Sequence, residues 1–146
     1  MKEIQLLKAD KKNFKMLEQL FPDDFTDRFN QFLNRTIDIY MVIYAGQPVG
    51  RLVANYTNQH LFNETVPYLR VNLSHFIVLK EYRLQGLGNQ LLKYAIEDLS
   101  ACGYKEFTIG VEKENSIAKH MYYNNGFLEV INHGHTPCEY DLYLKR

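Results

Sequence analysis

The sequence predicts an α/β protein with a mixed central sheet of about six to seven strands flanked by helices. Two observations carry this. Runs rich in β-branched and aromatic residues alternate with segments of helical period along all 146 residues. A strand-helix-strand unit from Leu69 to Val111 demands a parallel crossover, whereas hairpin signals on either side demand antiparallel neighbours.

The elements follow in order. Ile4 to Leu7 reads as a short strand, and Asp10 as the cap of a helix carrying Phe14, Leu17 and Phe21, ended by Pro22. A second helix is predicted from Asp23 to Arg35, with Phe25, Phe29, Phe32 and Leu33 as an apolar stripe suited to the core or to a substrate wall. Ile37 to Ala45 and Val49 to Tyr56 are strands joined at the turn signal Gly46-Gln47. Asn58 to Pro67 is a polar loop, and Leu69 to Leu79 a long strand. The helix from Gly86 to Cys102 has Leu91, Leu92, Ala95, Ile96 and Leu99 on its apolar face, with Gly103 as a left-handed stop. Phe107 to Val111 is a strand. A helix capped by Asn115 or Ser116 then ends before Gly126, and Phe127 to Ile131 and Tyr140 to Leu144 close the chain as strands. The predicted order is β-α-α-β-β-β-α-β-α-β-β.

The length suits a single domain over residues 1–146, one that buries roughly 68–70% of its unfolded surface. Lys plus Arg equals Asp plus Glu at 17 each, so nothing draws the chain to nucleic acid or to a membrane surface. No apolar run approaches the ~20 residues of a membrane span, and the start lacks a signal peptide's apolar stretch. Cys102 and Cys138 make neither a metal spacing nor a disulfide framework and read as reduced thiols of a cytoplasmic protein. No metal site is expected: His133-Gly134-His135 has no third ligand beside it.

The strongest local signal is Val78-Leu79-Lys80-Glu81-Tyr82-Arg83-Leu84-Gln85-Gly86-Leu87-Gly88. A strand ends, a glycine-bearing turn follows and a long helix starts. Such a helix start leaves backbone N–H groups without intrahelical partners and carries about half a positive charge, which suits a pyrophosphate. A tight turn that merely starts a helix explains the same glycines. A P-loop is excluded because no Gly-Lys is followed by Ser or Thr, and a dinucleotide fingerprint wants Gly or Ala where Leu91 stands.

Val-x-x-x-x-Arg-x-x-Gly-x-Gly resembles the central motif of the GCN5-related N-acetyltransferase (GNAT) family. Downstream, Asn115-x-x-Ala118-x-x-x-Tyr122-x-x-x-Gly126-Phe127 resembles that family's second motif. Together they cover residues 71 to 127, over a third of the chain, and the element order is similar to the family's acyl-CoA N-acyltransferase fold. The resemblance implies acetyl-CoA as co-substrate and an amine as acceptor, in a monomer or homodimer. It implies that the N–H of Phe76 faces the thioester carbonyl and that the N–H of Val78 binds pantetheine. The N–H groups of Gln85, Gly86, Leu87, Gly88 and Asn89 would hold the pyrophosphate, with Arg83 adding charge or shaping the turn. Asn115 would contact the coenzyme arm, cap its helix, or do both. Tyr122 stands at the position of the proton donor to the leaving thiolate; its alternatives are a core aromatic or a hydrogen bond to the sulfur.

The sequence departs from the family at the base. A lysine-like amine is less than about 0.1% neutral at pH 7, so a proton must be removed. Several family members place a Glu where this chain has Asn72. Alternation puts Asn72, Ser74 and Phe76 on one strand face and His75 on the other, a core or edge histidine. Glu112 is either a base or a solvated carboxylate, and His60, Glu64, His133 and His135 lie in loops that can overhang the site. Neither Cys102 nor Cys138 has an activating context, which favours direct transfer over a covalent enzyme intermediate. Two functions stand: an N-acetyltransferase acting on a primary amine of a small molecule or a protein N-terminus, and a non-catalytic module that binds or senses acyl-CoA. Turnover with a panel of amines separates them.

Overall fold

In the computed structural model, which describes residues 3–134 and 140–146, seven strands hydrogen-bond in the order β1-β2-β3-β4-β5-β7-β6. The elements are β1 (Ile4–Lys8), α1 (Phe25–Leu33), β2 (Ile37–Tyr44), β3 (Gln47–Asn55), β4 (Arg70–Val78), α2 (Leu87–Ala101), β5 (Glu106–Glu112), α3 (Ser116–Asn124), β6 (Phe127–Asn132) and β7 (Tyr140–Lys145). Short 3-10 helices cover Phe14–Leu20 and Lys80–Tyr82. The expected mixed sheet is present: β4 pairs parallel with β5, while β1/β2, β5/β7 and β6/β7 are antiparallel. The placement of β7 between β5 and β6 is not visible in the order of elements.

Contacts divide the chain into two units. The first holds the residues up to Ala54 together with His75–Asp98, and the second holds Asn55–Ser74 with Leu99–Arg146. The strand β4 begins in the second and ends in the first.

In the first unit, Phe14, Leu17, Leu20 and Phe21 are buried with Ile37, Ile39, Met41 and Val53. Phe25, Phe29 and Phe32 of α1 pack against this core, and Phe14 sits 4.8 Å from Phe32 and 5.1 Å from Phe29 between ring centroids. The predicted stripe is therefore a core stripe, but Leu33 is 44% exposed and outside it. The helix expected after Asp10 is a 3-10 helix starting at Phe14. Its late start has a local cause: Asp10 Oδ1 accepts from the N–H groups of Lys12 and Asn13, and Asn13 Oδ1 accepts from the Asp10 N–H, which locks a turn. The β2–β3 turn is shifted by one residue from the expected Gly46-Gln47, because Ala45 (φ 52°) and Gly46 (φ 83°) both take the left-handed conformation that a two-residue hairpin turn requires. On α2, Leu91, Leu92, Ala95, Ile96 and Leu99 are all buried, as the helical period predicts. Tyr40 of β2 donates to Asp98 of α2 at 2.6 Å.

The second unit closes around Phe107, Ile109, Leu142, Leu144 and Phe127, which are at most 2% exposed. It also buries a polar chain. Asn55 Nδ2 donates to Asn72 Oδ1 (2.9 Å) and to Ser74 Oγ (2.7 Å). Asn72 Nδ2 donates to Thr108 Oγ1 (3.0 Å), whose hydroxyl donates to the Glu64 carbonyl (2.7 Å). Among the described residues no helix is long and apolar enough to cross a membrane.

Candidate functional site

The turn between β4 and α2 is built by three features, one from a side chain and two from the backbone. Arg83 Nε donates to the Val78 carbonyl at 2.7 Å and ties the turn to the end of the strand. Leu84 (φ 64°) and Gly86 (φ 79°) are left-handed, which costs a residue with a Cβ but not glycine. The Gln90 N–H then makes an i→i−4 bond to the Gly86 carbonyl at 3.1 Å. The N–H groups of Leu87 and Gly88 precede that bond, so helix geometry gives them no intrahelical acceptor. Gln85 and Gly86 are exposed, and the Leu87 side chain is buried as the anchor. The Leu84 side chain is fully exposed. A Cβ on Gly88 would lie 3.5 Å from Phe76 and 3.6 Å from Val78, so the start of the helix rests on the end of β4. This is a cradle of N–H groups at the positive end of a helix of 15 residues, the arrangement a pyrophosphate needs.

β4 also carries a backbone feature that strand alternation does not predict. His75 is left-handed (φ 52°) in mid-strand and interrupts the alternation. Asn72 and Ser74 both meet Asn55, and Phe76 lies beside Gly88. The ladder to β5 runs from Arg70↔Glu106 to Leu73↔Ile109, just before His75. The His75 ring receives Arg28 Nη2 of α1 at 2.7 Å on Nε2, and its carbonyl receives Arg51 Nε of β3 at 3.2 Å. Since a guanidinium only donates, the Nε2 facing it carries the lone pair. Both arginines lie over the Phe21 ring, Arg51 at 4.1 Å and Arg28 at 5.7 Å from its centroid. The i, i+4 pair Asp24/Arg28 is legible in the sequence; the convergence of Arg28, Arg51 and His75 is not, because it joins three separate elements.

In the second unit, Asn115 caps α3: its Oδ1 accepts from the Ala118 N–H at 3.1 Å, and it is Asn115 rather than Ser116 that does so. Tyr122 is 6% exposed, with its ring 6.0 Å from Phe127, and burial pushes its phenol up to about 12. Its neighbour Tyr123 is 61% exposed, as one step of about 100° around the helix requires.

Asn72 spends both ends of its amide on Asn55 and Thr108. Glu64 does not overhang a site: it is 2% exposed, and its carboxylate accepts from the N–H groups of Gln59 and His60 and from the Tyr140 hydroxyl. It is the internal brace of its loop. Glu112 is exposed at the end of β5, and His60 lies edge-on to Tyr140 at 6.4 Å. His133 Nδ1 is 3.9 Å from Asp141. Cys102 is an exposed free thiol, and His135 and Cys138 lie outside the described residues.

The strand order with its parallel β4/β5 pair and the helix start after β4 define an acyl-CoA N-acyltransferase fold. Solved structures share it across nearly the whole chain. The PaiA N-acetyltransferase of Thermoplasma acidophilum, determined with coenzyme A, is 15% identical, with a TM-score of 0.73 and 99% of each chain covered. The ribosomal-protein-S18-alanine N-acetyltransferase of Escherichia coli is 17% identical, with a TM-score of 0.71, covering 97% of this chain and 91% of the other. A curated relative, the chloroplastic GCN5-related N-acetyltransferase 6 of Arabidopsis thaliana, is 29% identical over 72 residues, 49% of this chain; the match spans about a quarter (25%) of that relative's length. The model of the acetyltransferase (GNAT) family matches residues 5–127, and the chain belongs to that family.

Proposed function

We propose that this protein moves the acetyl group of acetyl-CoA directly to a primary amine of a small molecule or a protein N-terminus. The observation that carries the reading is the turn after β4. There a left-handed Gly86, the Arg83–Val78 tie and the open N-terminus of α2 form a phosphate cradle in a chain of the acetyltransferase family. In this reading the N–H groups of Gln85 to Asn89 hold the pyrophosphate, the Val78 N–H and Asn115 hold the coenzyme arm, and the Phe76 N–H donates to the thioester oxygen. Acetyl-CoA supplies an activated carbonyl: the neutral amine's nitrogen bonds to its carbon and gives up a proton, the C–S bond breaks, and coenzyme A leaves as a thiolate that takes up a proton. The fixed Phe76 donor stabilises the negative oxygen formed on the way, a kind of contact worth about 2.7–4 kcal/mol.

Tyr122 faces the sulfur in this reading. A phenol at about 12 is a weaker acid than a free thiol, whose reference value is about 8.5, so burial favours a hydrogen bond to the developing thiolate over early proton release. Burial of the bound thiolate raises its pKa in the same direction and narrows the gap. We place the enzyme in the cytoplasm as a monomer or homodimer. The test is the release of free thiol from acetyl-CoA with a panel of amines, followed by identification of the N-acetyl product. Amine-dependent release supports the transferase. Binding of acetyl-CoA with no acetylation of any amine leaves the non-catalytic module.

A further inference from the structure

We infer that Arg51 is a positioning residue for the transfer: by holding the His75 carbonyl it fixes the direction of the Phe76 N–H, the donor assigned above to the thioester oxygen. This deepens the acetyltransferase reading and rests on it. The peptide that joins His75 to Phe76 is a planar unit, and in the trans form its C=O and N–H point to opposite sides. It turns only as a whole, about the bonds to the two flanking Cα atoms, so an anchor on the oxygen sets where the N–H points. Arg51 of β3 supplies that anchor, its Nε donating to the His75 carbonyl at 3.2 Å. The Phe76 N–H is thereby directed away from Arg51, which acts through the peptide and touches none of the reacting atoms.

This peptide is the one in β4 that most needs holding. His75 is left-handed (φ 52°), a conformation unfavourable for a residue with a Cβ and kept only where the surroundings enforce it. Two arginines from different elements grip the residue: Arg51 takes the carbonyl, and Arg28 of α1 takes the ring, Nη2 to Nε2 at 2.7 Å. Arg28 is itself braced by Asp24 at 3.0 Å and Gln31 at 3.2 Å. Beyond His75 the chain is tied to β3 again, where the Leu79 N–H meets the Val49 carbonyl at 2.8 Å. Arg51 is half-buried, and that burial lowers its pKa; Asp24 opposes the shift and Arg28 adds to it. A charge held against both desolvation and a neighbouring cation has the Phe21 ring on one side, 4.1 Å from its centroid, and the His75 carbonyl at its Nε.

A packing role on Phe21 and an anchoring role on His75 ask different things of the side chain. Packing uses the stem and the charge; anchoring uses an N–H at the fourth atom beyond Cα. Arg51→Gln keeps a nitrogen donor at that atom and loses the charge. Arg51→Lys keeps the charge but puts a methylene there, and Arg51→Met puts a methyl group there.

The experiment titrates wild type and these variants with acetyl-CoA and with S-ethyl-coenzyme A, the thioether in which a methylene replaces the carbonyl. The ratio of the two affinities reads the contact to the thioester oxygen alone. Infrared spectra of bound, carbonyl-labelled acetyl-CoA read the same contact as a lowered C=O stretch. Wild type is expected to bind acetyl-CoA roughly threefold or more tighter than the thioether, the worth of one ordinary hydrogen bond, with the stretch lowered. Arg51→Met and Arg51→Lys bring the ratio close to one and return the stretch toward its value in water, whereas Arg51→Gln keeps most of both. A merely structural role would weaken both ligands together and leave ratio and stretch alone, which overturns the proposal. So does the opposite order, with Arg51→Lys retaining the contact and Arg51→Gln losing it, since that order assigns the effect to charge. A wild-type ratio of one also overturns it, with coenzyme binding left standing; wild type that binds neither ligand removes the transferase reading as well. If Arg51→Met does not fold, Arg51→Lys against Arg51→Gln decides the question.

Discussion

At Tyr122 the hydroxyl belongs to a buried ring, and both its chemistry and its cost can be measured. Tyr122→Phe keeps the ring against Phe127 and removes only the oxygen. Turnover is expected to fall at least about tenfold with acetyl-CoA affinity nearly unchanged, read from kcat and from direct titration. An unchanged kcat, measured where chemistry limits the rate, removes Tyr122 from the mechanism. The same residue sets an alkaline limit. Its folded value of about 12 lies above the unfolded value of 10.0, so above pH 10 the unfolded chain releases a proton that the folded chain keeps. Its contribution to stability is complete below pH 10 and is lost as pH rises toward 12, at a slope of up to about 1.4 kcal/mol per pH unit. Denaturant unfolding of wild type and Tyr122→Phe on both sides of pH 10 should show the wild type losing more stability than the variant; parallel losses would show that this phenol titrates normally.

At the scale of elements, the turn and α2 make the sharpest separation of binding from folding. A Cβ on Gly88 meets Phe76 and Val78 only at ordinary contact distances, and Gly88 is not a left-handed residue. Gly88→Ala is therefore expected to leave the melting temperature unchanged or raise it, since Ala is up to about 1 kcal/mol better than Gly within a helix. Coenzyme affinity is expected to drop at least about tenfold, because phosphate must approach that backbone closely. Normal affinity in Gly88→Ala would make the turn structural. Gly86 is a poorer probe, because its φ of 79° penalises any side chain before a ligand is considered. The face of α2, its Gly103 stop and the Asn115 cap were legible because period and cap chemistry are local. Three things were not. The tie between Asp10 and Asn13 competes with an α-helix in a way that propensity does not show. The left-handed His75 has no sequence marker, since histidine tolerates that conformation without requiring it. The Arg28–His75–Arg51 cluster and the role of Glu64 as a loop brace depend on pairings across β3, β4, α1 and β7 that only the fold supplies.

For the whole molecule, ligand binding and stability are one measurement. The chain is formally neutral, with 17 residues of each sign, so binding of an anionic coenzyme is set by the local cradle rather than by net charge. A ligand that binds only the folded chain, at ~100 times its dissociation constant, adds about 2.7 kcal/mol, which for a domain of this size raises the melting temperature by roughly 5–10 °C. High salt should weaken the effect, since exposed phosphate contacts are screened. The most direct measurement is a thermal melt of the wild-type chain at low ionic strength across a titration of acetyl-CoA up to the millimolar range. The account predicts a rise that sets in near the dissociation constant, grows with the logarithm of concentration to several degrees, and is shifted to higher concentration by Gly88→Ala. A melting temperature that does not move at any acetyl-CoA concentration would contradict it.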